Sequence, residues 1–346
     1  MRALSEPLPS SMMLGFAIVA ASAAVTIALI VWLKPLLLRY ALARPNARSS
    51  HKTPTPQGGG IAVMTAALVL SAIATFMLKD AASPFGATFG PVLFATVFIA
   101  LIGAVDDIRT LAIAPRLLGQ AVAVALVLAS LPADFALTPF LPWWLERALL
   151  LIAGLWFVNL VNFMDGLDWM TVAEILPVTG GLIVLSAVAG LPLHATVLAL
   201  ALFGALLGFA PFNKPVAHLF LGDVGSLPIG LLVGYLLLLL AGAGHVVAAL
   251  LLPLYYLADA TITLLRRFGN GETVWQAHRS HFYQRATDHG FSVMQIVGRV
   301  FGVNIGLVAL AAWSVWQTNL ITQMIALGLG LALVGWLLIT FSRKRA

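Results

Sequence analysis

The chain carries about eleven apolar stretches, each close to the roughly 20 residues that a helix needs to cross a bilayer. They lie near 12–33, 60–78, 90–105, 116–131, 146–161, 170–189, 194–211, 225–241, 246–265, 296–316 and 320–341, separated by short polar or Pro/Gly-rich breaks. Inside hydrocarbon every backbone N–H and C=O must find a partner within the protein, so segments this long and apolar can only be helices. Composition agrees, with 61% apolar residues, 9% charged residues and a mean hydropathy of +1.01, whereas a soluble domain carries about a quarter charged residues. The expected fold is all-α, a polytopic integral membrane helical bundle of about 11 transmembrane helices, with residues 1–346 forming one membrane-embedded domain. The first run, Ser11–Leu33, is longer than a signal-peptide core and is followed by Lys34 and Arg39, so it reads as a retained span. Breaks of only 190–193 and 242–245 make the sixth and seventh, and the eighth and ninth, spans tight hairpins.

Charge orients the bundle. If segment 34–59 faces the cytoplasm, all but Arg2, Lys79 and Arg147 of the 19 Lys and Arg residues fall on that side. Such a bias predicts an N-out, C-in topology. It also accounts for the net charge of +6 and pI near 10.0 without nucleic acid, which would need a sizeable basic soluble surface. Cysteine is absent, which excludes disulfides, Cys-ligated zinc and thiol nucleophiles.

The carboxylates gather on the same predicted face. Asp106 and Asp107 end the third span, Asp165 and Asp168 follow the fifth, Asp223 precedes the eighth, and Glu272 and Asp288 lie in the last large loop. Adjacent carboxylates repel, and one is driven toward its neutral form unless a cation sits with them. Oxygen ligands of this kind suit Mg²⁺. Asp223 stands in LGDVGS (221–226), whose glycines let backbone approach a ligand, and a helix N-cap is its competing structural role. KTPTPQGGG (52–60) puts Lys52 and three glycines before a helix start, where free N–H groups favour an anion. Asn159, Asn162 and Asp165 follow at one-turn spacing and share a helix face. HRSHFYQR (278–285) supplies cations and aromatics, suited to holding a diphosphate opposite a metal. Glu174 and Asp259 lie within spans six and nine and read as buried polar ties between helices.

Taken together, HKTPTPQGGG (51–60), GAVDD (103–107), NLVNFMDGLD (159–168), FNKPVAHLFLGDVGS (212–226) and HRSHFYQRA (278–286) resemble the motifs of the polyprenyl-phosphate N-acetylhexosamine-1-phosphate transferases. This membrane family, glycosyltransferase family 4, includes lipid I synthase of peptidoglycan and the initiating enzymes of O-antigen. The resemblance implies a bacterial inner-membrane enzyme with a cytoplasmic-facing site. Such an enzyme moves a sugar 1-phosphate from a UDP-amino-sugar to undecaprenyl phosphate, releases UMP and requires Mg²⁺, with Mn²⁺ as the alternative ion. By resemblance, Asp106, Asp107 and Asp223 match the catalytic aspartates, with Asp223 and Asn162 at the metal. Lys52, Asn162, Asp165, Gly166, Asp168 and Phe220 match the nucleotide pocket, and Arg279 and His281 the diphosphate- or sugar-holding loop. Dimerisation is a family expectation that no motif here encodes.

Two departures bear on the donor. The peptidoglycan branch has a lysine three residues after its second aspartate, where this chain has Thr110, and a triple-histidine motif, where Arg279 and Ser280 intervene between His278 and His281. Both argue against UDP-MurNAc-pentapeptide and toward UDP-GlcNAc or a 6-deoxy relative such as UDP-FucNAc or UDP-QuiNAc. The peptidoglycan transferase remains the first alternative. A secondary transporter, which would place its ionisable groups at mid-bilayer and show internal repeats, is the alternative from another class.

Overall fold

The computed structural model describes residues 10–43, 54–78, 89–132, 134–273 and 278–345. The described residues are predominantly helical, in the order α1 (Ser10–Tyr40), α2 (Gly59–Leu78), α3 (Gly90–Ile108), α4 (Ile113–Ala129), α5 (Trp143–Met164), α6 (Met170–Leu185), α7 (Leu193–Phe209), α8 (Asp223–Gly242), α9 (Val246–Leu251), α10 (Leu254–Gly269), α11 (Phe282–Asp288), α12 (Val293–Trp316) and α13 (Leu320–Ser342). A minimal antiparallel pair, β1 (Leu42–Ala43) with β2 (Thr55–Pro56), follows α1. Among the described residues, seven helices are long and apolar enough to cross a membrane, and Ile113–Ala129, Met170–Ser186 and Leu193–Phe209 are shorter apolar helices. The protein is a multi-pass membrane helical bundle.

The buried and exposed faces differ little in polarity, as expected when lipid is the outer solvent. Trp32, Phe76 and Trp316 are 69%, 71% and 80% exposed on the outside of the bundle, where water would make such apolar surface costly. At the centre lies α8, with neighbours that include α2, α3, α5 and α9. Its buried face includes Leu227, Ile229, Leu232, Val233, Tyr235, Leu236 and Leu240.

The segment 246–265, expected as one span, is two helices, α9 and α10. Pro253 lacks the N–H that would continue the ladder and its ring crowds the preceding turn, so the chain breaks there and restarts. Pro177 lies inside α6 without ending it. The carbonyl it leaves without its intrahelical donor, that of Ala173, accepts instead from Asn304 Nδ2 of α12 at 3.1 Å. The same amide donates to Glu174 at 2.5 Å, so Glu174 ties α6 to α12. The last two spans start at capped positions: Ser292 and Gln295 form a capping box on α12, and Asn319 caps α13.

Candidate active site

The site forms at the end of the bundle where α3 and α5 stop and α8 begins. Gly222, at φ 77°, occupies the N-cap of α8, so Asp223 is its first helical residue rather than its cap. The capping carboxylate comes from α3. Asp107 Oδ1 accepts from the backbone N–H of Asp223 at 2.9 Å and Oδ2 from that of Val224 at 3.0 Å, satisfying two N–H groups that the helix itself cannot. Asp106 turns away from its neighbour. Its Oδ1 accepts from Leu111 N–H at 2.6 Å, and its Oδ2 from Arg116 Nη1 at 2.9 Å. The same Nη1 lies 3.9 Å from Asp223 Oδ2, so one guanidinium bridges two of the three acidic residues.

Two glycine-bearing motifs interlock beneath these groups. Gly59 and Gly60 N–H donate to the carbonyls of Phe220 and Leu221 at 2.9 and 2.8 Å, and Phe220 N–H donates to Pro56 at 2.9 Å. A Cβ on Gly60 would sit 2.9 Å from Leu221 O and would collide with the backbone of Gly225. The PQGGG and LGDVGS segments therefore touch backbone to backbone, and Gln57 Nε2 donates to the Asp107 carbonyl at 2.7 Å.

The turn between α5 and α6 closes the other side. Asn162 Nδ2 donates to Asp223 Oδ1 at 2.8 Å and to Ser226 Oγ at 2.9 Å. Asp165 accepts from the Thr171 hydroxyl at 2.5 Å. Burial pushes its pKa up to about 7, with the nearby charges of Asp223, Asp107 and Asp168 adding to the rise. Asp168 Oδ2 accepts from Ala217 N–H at 3.0 Å, and Asn213 holds Trp169 N–H at 2.8 Å while donating to Leu219 O at 3.0 Å. Trp169, at φ 62°, is held in the left-handed region by these ties and by its indole N–H on Ala210 O at 2.6 Å.

The result is a cavity of about 230 Å³ lined by Asp107, Asn162, Asp165, Gly166, Asp168, Phe220 and Asp223, together with Gln57, Asn213 and Ser226. Sequence reasoning had not singled out Gln57, Asn213, Ser226, Thr171 or Arg116. Gln57, Asn213 and Ser226 lie within the motifs at 51–60 and 212–226, whereas Arg116 and Thr171 lie outside any motif. Asn159 does not line this cavity; its amide donates to Gln120 Oε1 at 2.7 Å. Lys52 lies outside the described residues. Arg279 donates to Thr287 Oγ1 at 2.8 Å and stands 3.5 Å from Asp288, off the cavity wall. His281 is buried behind Tyr283, whose hydroxyl donates to Phe163 O at 3.0 Å beside Gly166.

A second, apolar cavity of about 300 Å³ opens between α4, α5, α8, α9 and α10, lined by residues such as Val127, Leu150, Phe157, Gly234, Leu238 and Leu257. It reaches Val158 and Gly230, each one helical turn from a residue of the polar cavity, Asn162 and Ser226.

Residues 89–241 match the profile of glycosyl transferase family 4. The chain is 26% identical over 317 residues to a probable undecaprenyl-phosphate N-acetylglucosaminyl 1-phosphate transferase of Bacillus subtilis, covering 84% of this chain and 85% of that one. It is 28% identical over 307 residues to the decaprenyl-phosphate N-acetylglucosaminephosphotransferase of Mycobacterium leprae, covering 79% and 76%. To the phospho-N-acetylmuramoyl-pentapeptide-transferase of Leuconostoc citreum it is 30% identical over 221 residues, covering 58% and 67%.

Proposed function

The chain belongs to glycosyl transferase family 4, and on that footing we propose that it transfers an N-acetylamino-sugar 1-phosphate from a UDP-sugar to undecaprenyl phosphate, releasing UMP. The observation that carries this reading is the polar, carboxylate-lined cavity lying one helical turn from an apolar one. A polar nucleotide sugar and a prenyl chain need such adjoining environments. The relatives from Bacillus subtilis and Mycobacterium leprae, whose names specify a polyprenyl phosphate and N-acetylglucosamine phosphate, support the substrate class. We place the enzyme in the bacterial inner membrane with this site on the cytoplasmic side, in line with the distribution of Lys and Arg. UDP-GlcNAc, UDP-FucNAc or UDP-QuiNAc is the donor, serving O-antigen or another surface polysaccharide.

In the proposed reaction an oxygen of the lipid phosphate attacks the sugar-bearing phosphorus. A new P–O bond forms as the bond to UMP breaks, and UMP leaves with the electron pair. Catalysis of this kind rests on positioning and on neutralising charge. Arg116 is the cation placed to receive a phosphate between Asp106 and Asp223. Asp106 Oδ2, released from that guanidinium, accepts the proton when the lipid phosphate arrives as the monoanion. Asp107 fixes the start of α8, and with it Asp223.

The donor set fits Mg²⁺ or Mn²⁺. Asp223 offers a carboxylate, and Asn162, whose nitrogen is engaged with Asp223 and Ser226, offers its amide oxygen, all hard oxygen ligands. When bound, the ion neutralises diphosphate charge and makes UMP a better leaving group. Asp165, Asp168, Gly166 and Phe220 frame the nucleotide, and Asp165 in its neutral form donates a hydrogen bond to it. The resemblance assigns the remaining diphosphate charge to Lys52, Arg279 and His281, of which Arg279 and His281 do not line the polar cavity.

The test is transfer of label from a panel of UDP-sugars to undecaprenyl phosphate by purified protein, with Mg²⁺ and with chelator. Mg²⁺-dependent labelled lipid with stoichiometric UMP is the expected result. Preference for UDP-MurNAc-pentapeptide would move the chain to the peptidoglycan branch, and no transfer from any donor by folded protein would refute the reading.

A further inference from the structure

Asp259 lies in α10 and is fully buried. Its carboxylate accepts from the Tyr255 hydroxyl at 3.2 Å, the Thr263 hydroxyl at 3.3 Å, His281 Nδ1 at 3.2 Å, and the backbone N–H groups of Phe282 and Tyr283 at 3.0 and 3.1 Å. Tyr255 and Thr263 stand one turn before and after it on the same helix, and their hydroxyls fix its rotamer. The other three donors belong to one short segment, 281–283. A tie between two helices needs one such bond. Three bonds to consecutive residues instead fix how that segment is held.

The imidazole is the informative part of this arrangement. An Nδ1 facing a carboxylate must carry its proton, which leaves Nε2 as the second, open ring position. Nε2 of His281 is buried and has no hydrogen-bond partner among the described residues. A buried polar atom of this kind is normally completed by water, an ion or a ligand. The ring lies between those of His278 and Tyr283, at 4.8 and 5.7 Å between centroids. Tyr283 in turn reaches Phe163 O beside Gly166, on the wall of the polar cavity. Segment 281–283 is thus anchored by Asp259 behind and by the cavity wall ahead.

We propose that Asp259 is a positioning residue for the transfer reaction: it holds His281 with its proton on Nδ1, leaving Nε2 as a hydrogen-bond acceptor for a ligand, and it pins the 281–283 backbone so that Tyr283 is held against Phe163 O and Gly166 at the cavity wall. The proposal rests on the reading of the chain as a sugar-phosphate transferase. Asp259 touches no substrate itself and acts through His281, as a carboxylate behind an imidazole does elsewhere.

Two measurements test it. The first is the ¹⁵N-histidine NMR spectrum of the whole wild-type chain in lipid, with the His281 signal among the 7 histidines assigned by its loss in His281→Gln. The expected spectrum shows Nδ1 protonated; a neutral ring with bare Nδ1 and protonated Nε2 would overturn the proposal, and this arm needs no Asp259 variant to fold. The second is a double-mutant cycle on transfer. Asp259→Asn and His281→Gln should each lower kcat at least about tenfold with donor KM within about threefold, and the double variant should be no slower than the slower single one. Losses that multiply would show the two residues acting separately and would overturn it. Absence of transfer by the wild-type chain would sink the functional reading, whereas the wrong tautomer with transfer intact sinks this inference alone.

Discussion

Gly60→Ala is the smallest change that should disable the site, and its effect can be worked from one crossing. The added methyl would lie 2.9 Å from Leu221 O and nearer still to Gly225 backbone. Ordinary contact between heavy atoms needs about 3.5–4.0 Å, so the start of α2 and the start of α8 must part by roughly 1 Å. Neither neighbour is a flexible side-chain end. Overpacking of this kind costs about 1–3 kcal/mol, read as a lowered Tm. The displacement also moves Asp223, now 2.8 Å from Asn162 and 3.9 Å from Arg116. A misplacement near 1 Å can cost on the order of 10²-fold in rate, so kcat for transfer to undecaprenyl phosphate should fall by about that factor. Gly298→Ala serves as the control, because a Cβ there meets nothing within 4 Å and alanine favours a helix; it should keep full activity. Wild-type kcat and Tm in Gly60→Ala would refute the claim that backbone contact sets the position of Asp223.

Further outcomes follow from other parts of the site. Chelator should abolish transfer and Mg²⁺ restore it, while Asp223→Asn should be inactive with added metal; Asp106→Asn should lose turnover but keep donor binding, measured by equilibrium dialysis of the UDP-sugar. Gly234→Val, which pushes into Phe157 beside the apolar cavity, should raise the acceptor KM about tenfold and leave the donor KM unchanged. Asp165 has a folded pKa of about 7 against an ordinary 3.8, so its contribution to stability is fully present below pH 3.8 and is lost as pH rises to about 7. In metal-free buffer Asp165→Asn should therefore melt higher than the wild type at pH 8, with the gap closing toward acid; a gap that widens toward acid would contradict this sign.

The helices were legible because their limits are written as switches between apolar and polar residues. The stretch expected at 90–105 is Gly90–Ile108, that at 296–316 is Val293–Trp316, and that at 320–341 is Leu320–Ser342. The break at Pro253 was visible as a residue but was overridden by the apolar run around it, and α11 is too short to show a period. Asp107, Asn162, Asp165, Gly166, Asp168, Phe220 and Asp223 meet in one cavity because each stands at or beside a helix end on the same face. Their partners were not legible. Which of two adjacent aspartates caps α8 and which takes Arg116 depends on the rotation of α3 against α8, and Asp107 and Val224 are 117 residues apart. Asp259 looked like a tie between helices, since its three-residue client lies beyond a loop whose path the sequence does not encode.

The bond that Asn304 lends to α6 also orders events during synthesis. Ala173 and Asn304 are 131 residues apart, and at ribosomal speeds that separation is on the order of ten seconds. For that interval α6 has Pro177, an unmatched carbonyl and the acidic Glu174 in a bilayer that offers none of them a donor. Either α6 waits beside the insertion machinery until α12 arrives, or it enters with water around that turn. Helix α12 is then a late keystone for the helix that begins at the active-site turn, and a truncated chain ending before Asn304 should be degraded rather than accumulate as an inactive enzyme.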